Sequence, residues 1–136
     1  HWATSAAGAI APLSWVEAVI GFALSQIPKG KIHLGVPFYG YDWIGKQGTG
    51  VTWEDAQELI KRYKTSPKRD PASKELHFSY KKEGEKHTVW FNDFTSVKAK
   101  LALVKRYELA GIGIWRIGRE DPKIWSTIEE VFGESL

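Results

Sequence analysis

The sequence has 136 residues, 43% of them hydrophobic and 26% charged. No run approaches the roughly 18 apolar residues of a membrane-spanning helix, so one soluble globular chain with no membrane partner is expected. The absence of cysteine excludes a disulfide framework, a thiolate metal site and a cysteine nucleophile, and the net charge of +3 is too small to mark the whole chain as a polyanion binder.

The chain opens on His1-Trp2-Ala3, with neither an initiator Met nor a signal peptide, and reads as the interior of a longer sequence. After a small-residue loop from Ala3 to Ala11, Pro12-Leu13-Ser14 leads a helix. In it Trp15, Val16, Val19, Ile20, Ala23, Leu24 and Ile27 recur at helical spacing, and Pro28 and Gly30 end it. The run KIHLGVPFYGYDW, Lys31 to Trp43, has almost no charge before Asp42 and suits a strand covered on both faces. Residues 44–92 then change character and read as an α+β insertion. Thr52 caps a short helix with Trp53, Ala56, Ile60 and Tyr63 on one face, and Thr65 to Ser73 is a Pro-containing linker. Leu76–Tyr80 and His87–Phe91 form a hairpin around Glu83-Gly84-Glu85. Between Lys61 and Lys86, 9 Lys/Arg face only 4 Asp/Glu, against 10 and 12 in the remainder. Such a run is either a solvated excursion or a polyanion patch. No nucleic-acid signature accompanies it, because Phe78, Tyr80, Trp90 and Phe91 follow ordinary strand alternation.

Asp93 to Ser96 can cap a third helix with Val97, Leu101 and Val104 on its buried stripe. A strand from Gly111 to Ile117 follows. Pro122 then opens a last helix with Ile124, Trp125, Ile128 and Phe132 on its apolar face. Without the insertion the order is a βα alternation of the parallel type. The segment AGIGIWRIGRED, Ala110 to Asp121, poses the functional question, since its small and β-branched residues end abruptly in Trp115, Arg116 and acids.

Two stretches, Lys31–Trp43 and Trp90–Asp121, together resemble the last third of a glycoside hydrolase family 18 domain, the chitinase-like (β/α)8 barrels. The seventh-strand pattern Gly-x-Pro-x-Tyr-Gly is matched by Gly35, Pro37, Tyr39 and Gly40. The end of the insertion is matched by Phe91, Asp93, Ser96 and Lys100, and the eighth strand by Gly111 and Trp115. His1-Trp2 resembles the residues after the sixth strand in the bacterial cell-wall and spore branch. The resemblance implies an α/β fold, the C-terminal portion of a TIM (β/α)8 barrel of about two βα units, with residues 44–92 as an inserted subdomain within a partial domain of residues 1–136. The family's catalytic Asp-x-x-Asp-x-Asp-x-Glu is missing: Asp42, Asp55, Asp70, Asp93 and Asp121 never show that spacing. The expectation is a fragment of a larger enzyme, inactive by itself.

Family 18 hydrolysis is substrate-assisted. The substrate's 2-acetamido carbonyl attacks the anomeric carbon while one glutamic acid protonates the leaving oxygen. The protein must then hold a distorted sugar against a flat apolar floor, and an indole does this. The resemblance gives that place to Trp115, at the strand end where barrel active sites lie; core packing is the other reading. Tyr39 and Tyr41, two residues apart on one strand tip, could bond sugar hydroxyls or the acetamido group, and Trp43, Asp42 and Trp2 would border the cleft. Arg116 and Arg119 depart from the small or acidic residues usual there. They would favour an anionic polymer such as peptidoglycan, or else make strand-end salt bridges.

The expected partner is thus a polysaccharide containing β-1,4-linked N-acetylglucosamine, in cell wall, spore cortex or chitin, in an extracytoplasmic setting, with no nucleic acid, no metal and no cofactor. His1, His33, His77 and His87 lack metal-ligand spacing. A non-catalytic saccharide-binding module is the alternative. Two parallel strands without neighbours expose backbone edges, so self-association is expected as well.

Overall fold

The computed structural model describes residues 1–133. The chain order is α1 (Leu13–Gln26), a 3-10 turn (Lys29–Lys31), β1 (His33–Pro37), β2 (Gly40–Ile44), β3 (Gln47–Val51), α2 (Trp53–Tyr63), β4 (Lys68–Arg69), β5 (Leu76–Lys82), β6 (Glu85–Phe91), α3 (Phe94–Arg106), β7 (Gly111–Trp115) and α4 (Lys123–Phe132). They form two sheets. The first is the parallel pair of β1 and β7, in register from His33 opposite Gly111 to Pro37 opposite Trp115. The second is antiparallel, in the order β3-β2-β6-β5-β4.

Alternation along β1 sends Leu34 and Val36 to one face of the parallel pair, where they pack with Val16 and Ile20 of α1, Val97, Leu101 and Val104 of α3, and Ile124 and Ile128 of α4. The opposite face carries His33 and Gly35 of β1 and Gly111, Gly113 and Trp115 of β7. It stays open, so the expectation of strands covered on both faces is not met in this chain. Helix α1 is likewise only half covered. Val16 and Ile20 are buried, whereas Trp15, Val19, Phe22 and Ile27 are exposed; the apolar positions form an inward stripe and an outward one.

The expected single strand Lys31–Trp43 breaks in the middle. Pro37 has no N–H for the ladder, and the chain makes its last link to β7 through Phe38 N–H and the Trp115 carbonyl at 2.7 Å. Asn92 Nδ2 then takes the Tyr39 carbonyl at 3.0 Å, and Gly40 crosses so close to β6 that a Cβ would lie 2.1 Å from the Trp90 oxygen. Only glycine fits there, and the chain enters the second sheet as β2.

The helix caps follow local chemistry. Thr52 and Asp55 form a reciprocal capping box on α2, and Asp93 and Ser96 form another on α3. Glu83 and Gly84 both take positive φ, 51° and 83°, as a two-residue turn between right-twisted strands demands. The β5–β6 ladder runs from Leu76 opposite Phe91 to Lys82 opposite Glu85, two residues beyond the expected hairpin at its turn end. Strand β3 and the two-residue β4 lie in stretches that read as loop. On one face of the second sheet α2 buries Phe78, Tyr80, Val89 and Phe91 around Ala56, with Trp53 at the edge. Trp90 points to the other face, against His77.

Candidate functional site

A cavity of about 520 Å³ opens at the C-terminal ends of β1 and β7. Its floor is Trp115, 69% exposed, on the same face as Gly113 and Gly111. Gly35, level with Gly113 on the neighbouring strand, adds no side chain, so the indole face stays clear. Tyr39 forms one wall. The loop before α1 supplies the other through Trp2 and Ile10 to Pro12, with Trp15 from the first turn of α1. The Trp115–Arg116 peptide bond is cis. Flat indoles with a phenol at one side form an apolar slot, suited to the C–H face of a pyranose ring.

The loop wall is held from below by a buried network. The Glu75 carboxylate accepts from Ile10 N–H at 2.6 Å, from Ala11 N–H at 3.0 Å and from Lys100 Nζ at 3.2 Å. Glu75 and Lys100 are both fully buried. Asn92 Oδ1 accepts from Lys100 Nζ at 3.2 Å and from the Ser96 hydroxyl at 3.0 Å, while its amide holds Tyr39. One cluster therefore ties the residue before β5, helix α3 and the link between β1 and β2 to the cavity wall. Burial pulls the Lys100 ammonium below its ordinary pKa, and Glu75 opposes that pull. Burial, the Tyr41 phenol and the Glu75 carboxylate together push the Tyr39 phenol up, so it stays a protonated donor at neutral pH.

Of the residues expected at the site, Trp115, Tyr39 and Trp2 line the cavity. Tyr41, Asp42 and Trp43 do not, because they belong to β2 rather than to the tip of β1. Tyr41 is half-buried behind Tyr39, with ring centroids 5.6 Å apart, and Trp43 packs behind Tyr41 at 5.4 Å. Trp43 is only 1% exposed and its Nε1 donates to the Trp2 carbonyl at 3.1 Å, so it props up a lining residue from outside the cavity. Asp42 points to the α2 face, where it accepts from the Tyr80 hydroxyl and lies 2.9 Å from His87 Nδ1. Burial and Asp42 both push the Tyr80 phenol far up.

The charged residues after Trp115 divide. Arg119 pairs with Glu54 at 2.8 Å, Asp55 at 2.9 Å and Glu58 at 3.2 Å, fastening the strand-end loop to α2. Glu120 takes the Trp125 indole N–H at 3.0 Å. Asp121 is buried and accepts from the backbone N–H of Phe94 and of Lys123, both at 3.0 Å, serving the starts of α3 and α4. Arg116 is exposed and makes no ion pair among the described residues. Sequence reasoning did not single out Glu75 or the Ile10–Pro12 wall. An acid in a basic, loop-like stretch carries no local sign of burial, and backbone donors carry none at all.

Residues 1–120 match glycosyl hydrolases family 18. A cortical fragment-lytic enzyme of Bacillus cereus is 36% identical over 131 residues, covering 91% of this chain and 30% of the relative. The crystal structure of the Bacillus megaterium spore cortex-lytic enzyme SleL superposes with a TM-score of 0.87 at 34% identity, covering 95% of this chain and 32% of that one. A Chromobacterium violaceum chitinase superposes at 0.91 with 33% identity, covering 99% and 43%. The chain spans about a third of the length of the curated relatives it matches.

Proposed function

The chain belongs to glycosyl hydrolase family 18 and carries a C-terminal portion of its (β/α)8 barrel, and from that premise we propose that it forms the floor and one wall of a cleft for β-1,4-linked N-acetylglucosamine polymers. The carrying observation is the bare Trp115 indole at the end of paired parallel strands, facing a mainly apolar cavity beside a protonated Tyr39. A sugar ring laid on that indole sheds water from its C–H face, and the Tyr39 hydroxyl can donate to an acetamido or ring oxygen. Trp2 closes over the ring. The substrate's own acetamido group supplies the nucleophile in this family, so these residues contribute by positioning and by excluding water. The relatives named for the spore cortex support peptidoglycan outside the cytoplasm as the natural polymer, and the chitinase relative supports chitin.

The proton donor is a separate matter. The Asp-x-x-Asp-x-Asp-x-Glu pattern is absent from the 136 residues, so the chain by itself binds without cleaving. Calorimetric titration with N-acetylglucosamine tetramer tests the binding reading. Trp115→Ala should weaken binding about tenfold, the loss of one stacked ring. Unchanged affinity would remove Trp115 from the site. Hydrolysis of a fluorogenic oligomer by a chimera that joins the chain to the upstream barrel of a relative, and none by the chain alone, supports the hydrolase reading. If the chimera folds, binds and does not cleave, the saccharide-binding module is the better account.

A further inference from the structure

The second sheet has a face that the cavity does not use. Alternation places His77, Ser79 and Lys81 of β5 and Lys86, Thr88 and Trp90 of β6 on the side away from α2, because Phe78, Tyr80, Val89 and Phe91 point into the α2 core. Three rungs are in register. His77 lies opposite Trp90, their rings stacked at 4.4 Å. Ser79 lies opposite Thr88, hydroxyls 3.5 Å apart, and Lys81 lies directly opposite Lys86. Tyr41, paired with Trp90 on β2, joins this face to Tyr39 and the cavity. Aromatic rings, then hydroxyls, then two ammonium groups therefore lead outward over about 13 Å of strand.

The outer end carries a like-charged rung. Like charges directly opposite across a ladder destabilise it, and neither lysine has an acidic partner among the described residues. Most acids of the insertion are engaged elsewhere. Glu75 is buried with Lys100, Glu54, Asp55 and Glu58 hold Arg119, and Asp70 accepts from Ser73. Only Glu83 and Glu85 remain near the turn. The Lys81–Lys86 rung shares a face with aromatic and hydroxyl groups.

We propose that this face, from Trp90 and His77 to Lys81 and Lys86, binds a carboxylate-bearing glycan strand as it leaves the Trp115 cavity. Ammonium groups on flexible stems act as point charges that meet spaced carboxylates without fixed geometry, while the hydroxyl rung and the Trp90 edge suit sugar rings between them. The proposal rests on the cavity being a sugar site, and adds that the polymer is anionic.

The test compares a soluble glycan strand bearing free muramyl-peptide carboxylates with a neutral N-acetylglucosamine hexamer, titrated at 50 and 200 mM salt. With the unsubstituted chain, the anionic strand should bind tighter and lose affinity steeply with salt. Lys81→Gln with Lys86→Gln should weaken the anionic strand about tenfold at low salt and flatten its salt dependence, as loss of two counterion-releasing contacts requires. The hexamer should change less than twofold. Equal losses for both ligands, or no loss for the anionic strand, overturn the proposal, as does tighter binding of a single-stranded oligonucleotide than of the glycan. Trp115→Ala separates the two readings: loss of hexamer binding upholds the cavity whatever the lysines do. Thermal unfolding of the double variant should be unchanged or raised, because a like-charge pair has been relieved.

Discussion

Substitutions at Glu75 and Lys100 should be strongly non-additive, the double change costing less than the sum of the two single losses. Each side chain is fully buried, and Glu75 also accepts from two backbone N–H groups of the cavity wall. Lys100→Met leaves a carboxylate with its backbone donors but without its counter-charge. Glu75→Gln leaves a buried ammonium whose pKa burial already lowers. Breaking a buried pair in this way costs about 3 to 5 kcal/mol, a large share of the 5 to 15 kcal/mol that holds a typical domain together. The double substitution leaves a neutral glutamine that can still accept from Ile10 or Ala11, beside a thioether. It should cost less than the sum of the single losses by about 3 kcal/mol. Urea unfolding followed by circular dichroism, run on all four corners of the cycle, measures this. Additive losses, or single losses below about 1 kcal/mol, would refute the reasoning that the pair is electrostatically coupled in a dry interior.

Trp43→Phe keeps the ring but removes the donor to the Trp2 carbonyl. It should cost about 1 kcal/mol and weaken N-acetylglucosamine tetramer binding two- to threefold, since Trp2 lines the cavity without being replaced. Burial alone would raise the Asp55 carboxyl, but the Thr52 N–H and hydroxyl and Arg119 outweigh it and hold the pKa below its ordinary value. The folded chain therefore binds that proton less readily than the unfolded chain. The contribution is complete above about pH 4 and is lost as pH falls through the lowered value. The stability gap between the unsubstituted chain and Asp55→Asn, measured by urea midpoints, should narrow on acidification below about pH 4; a gap that widens contradicts the assignment. Finally, the exposed Trp15, Val19 and Phe22 of α1 and the open edges of β1 and β7 predict self-association. Sedimentation velocity across a concentration series should show a rising mean mass, and a monodisperse monomer would count against it.

The features legible in the sequence are those decided within a few residues. Thr52 with Asp55 and Asp93 with Ser96 cap helices because hydroxyl and carboxylate reach backbone N–H groups three positions away. The Glu83-Gly84 turn, the helical spacing of Val97, Leu101 and Val104, and the strand starting at Gly111, which ends at Trp115 rather than at the expected Ile117, are local in the same sense. The joint spacing of Gly35, Pro37, Tyr39, Gly40 and Trp115 carried the family, and with it Trp115, Tyr39 and Trp2 as cavity residues.

What only the tertiary structure decided concerns partners far apart in the chain. Composition along Lys31–Trp43 is uniform, but its second half pairs with β6, nearly fifty residues on, so Tyr41, Asp42 and Trp43 leave the strand tip that Tyr39 occupies. Glu75 meets Ile10 across 65 residues, and Arg119 meets Glu54 across the same separation. Whether an acid or a tryptophan ends as prop, cap or exposed surface depends on which element covers it. Alternation fixes that two side chains share a face; the pairing of the sheets fixes what that face meets.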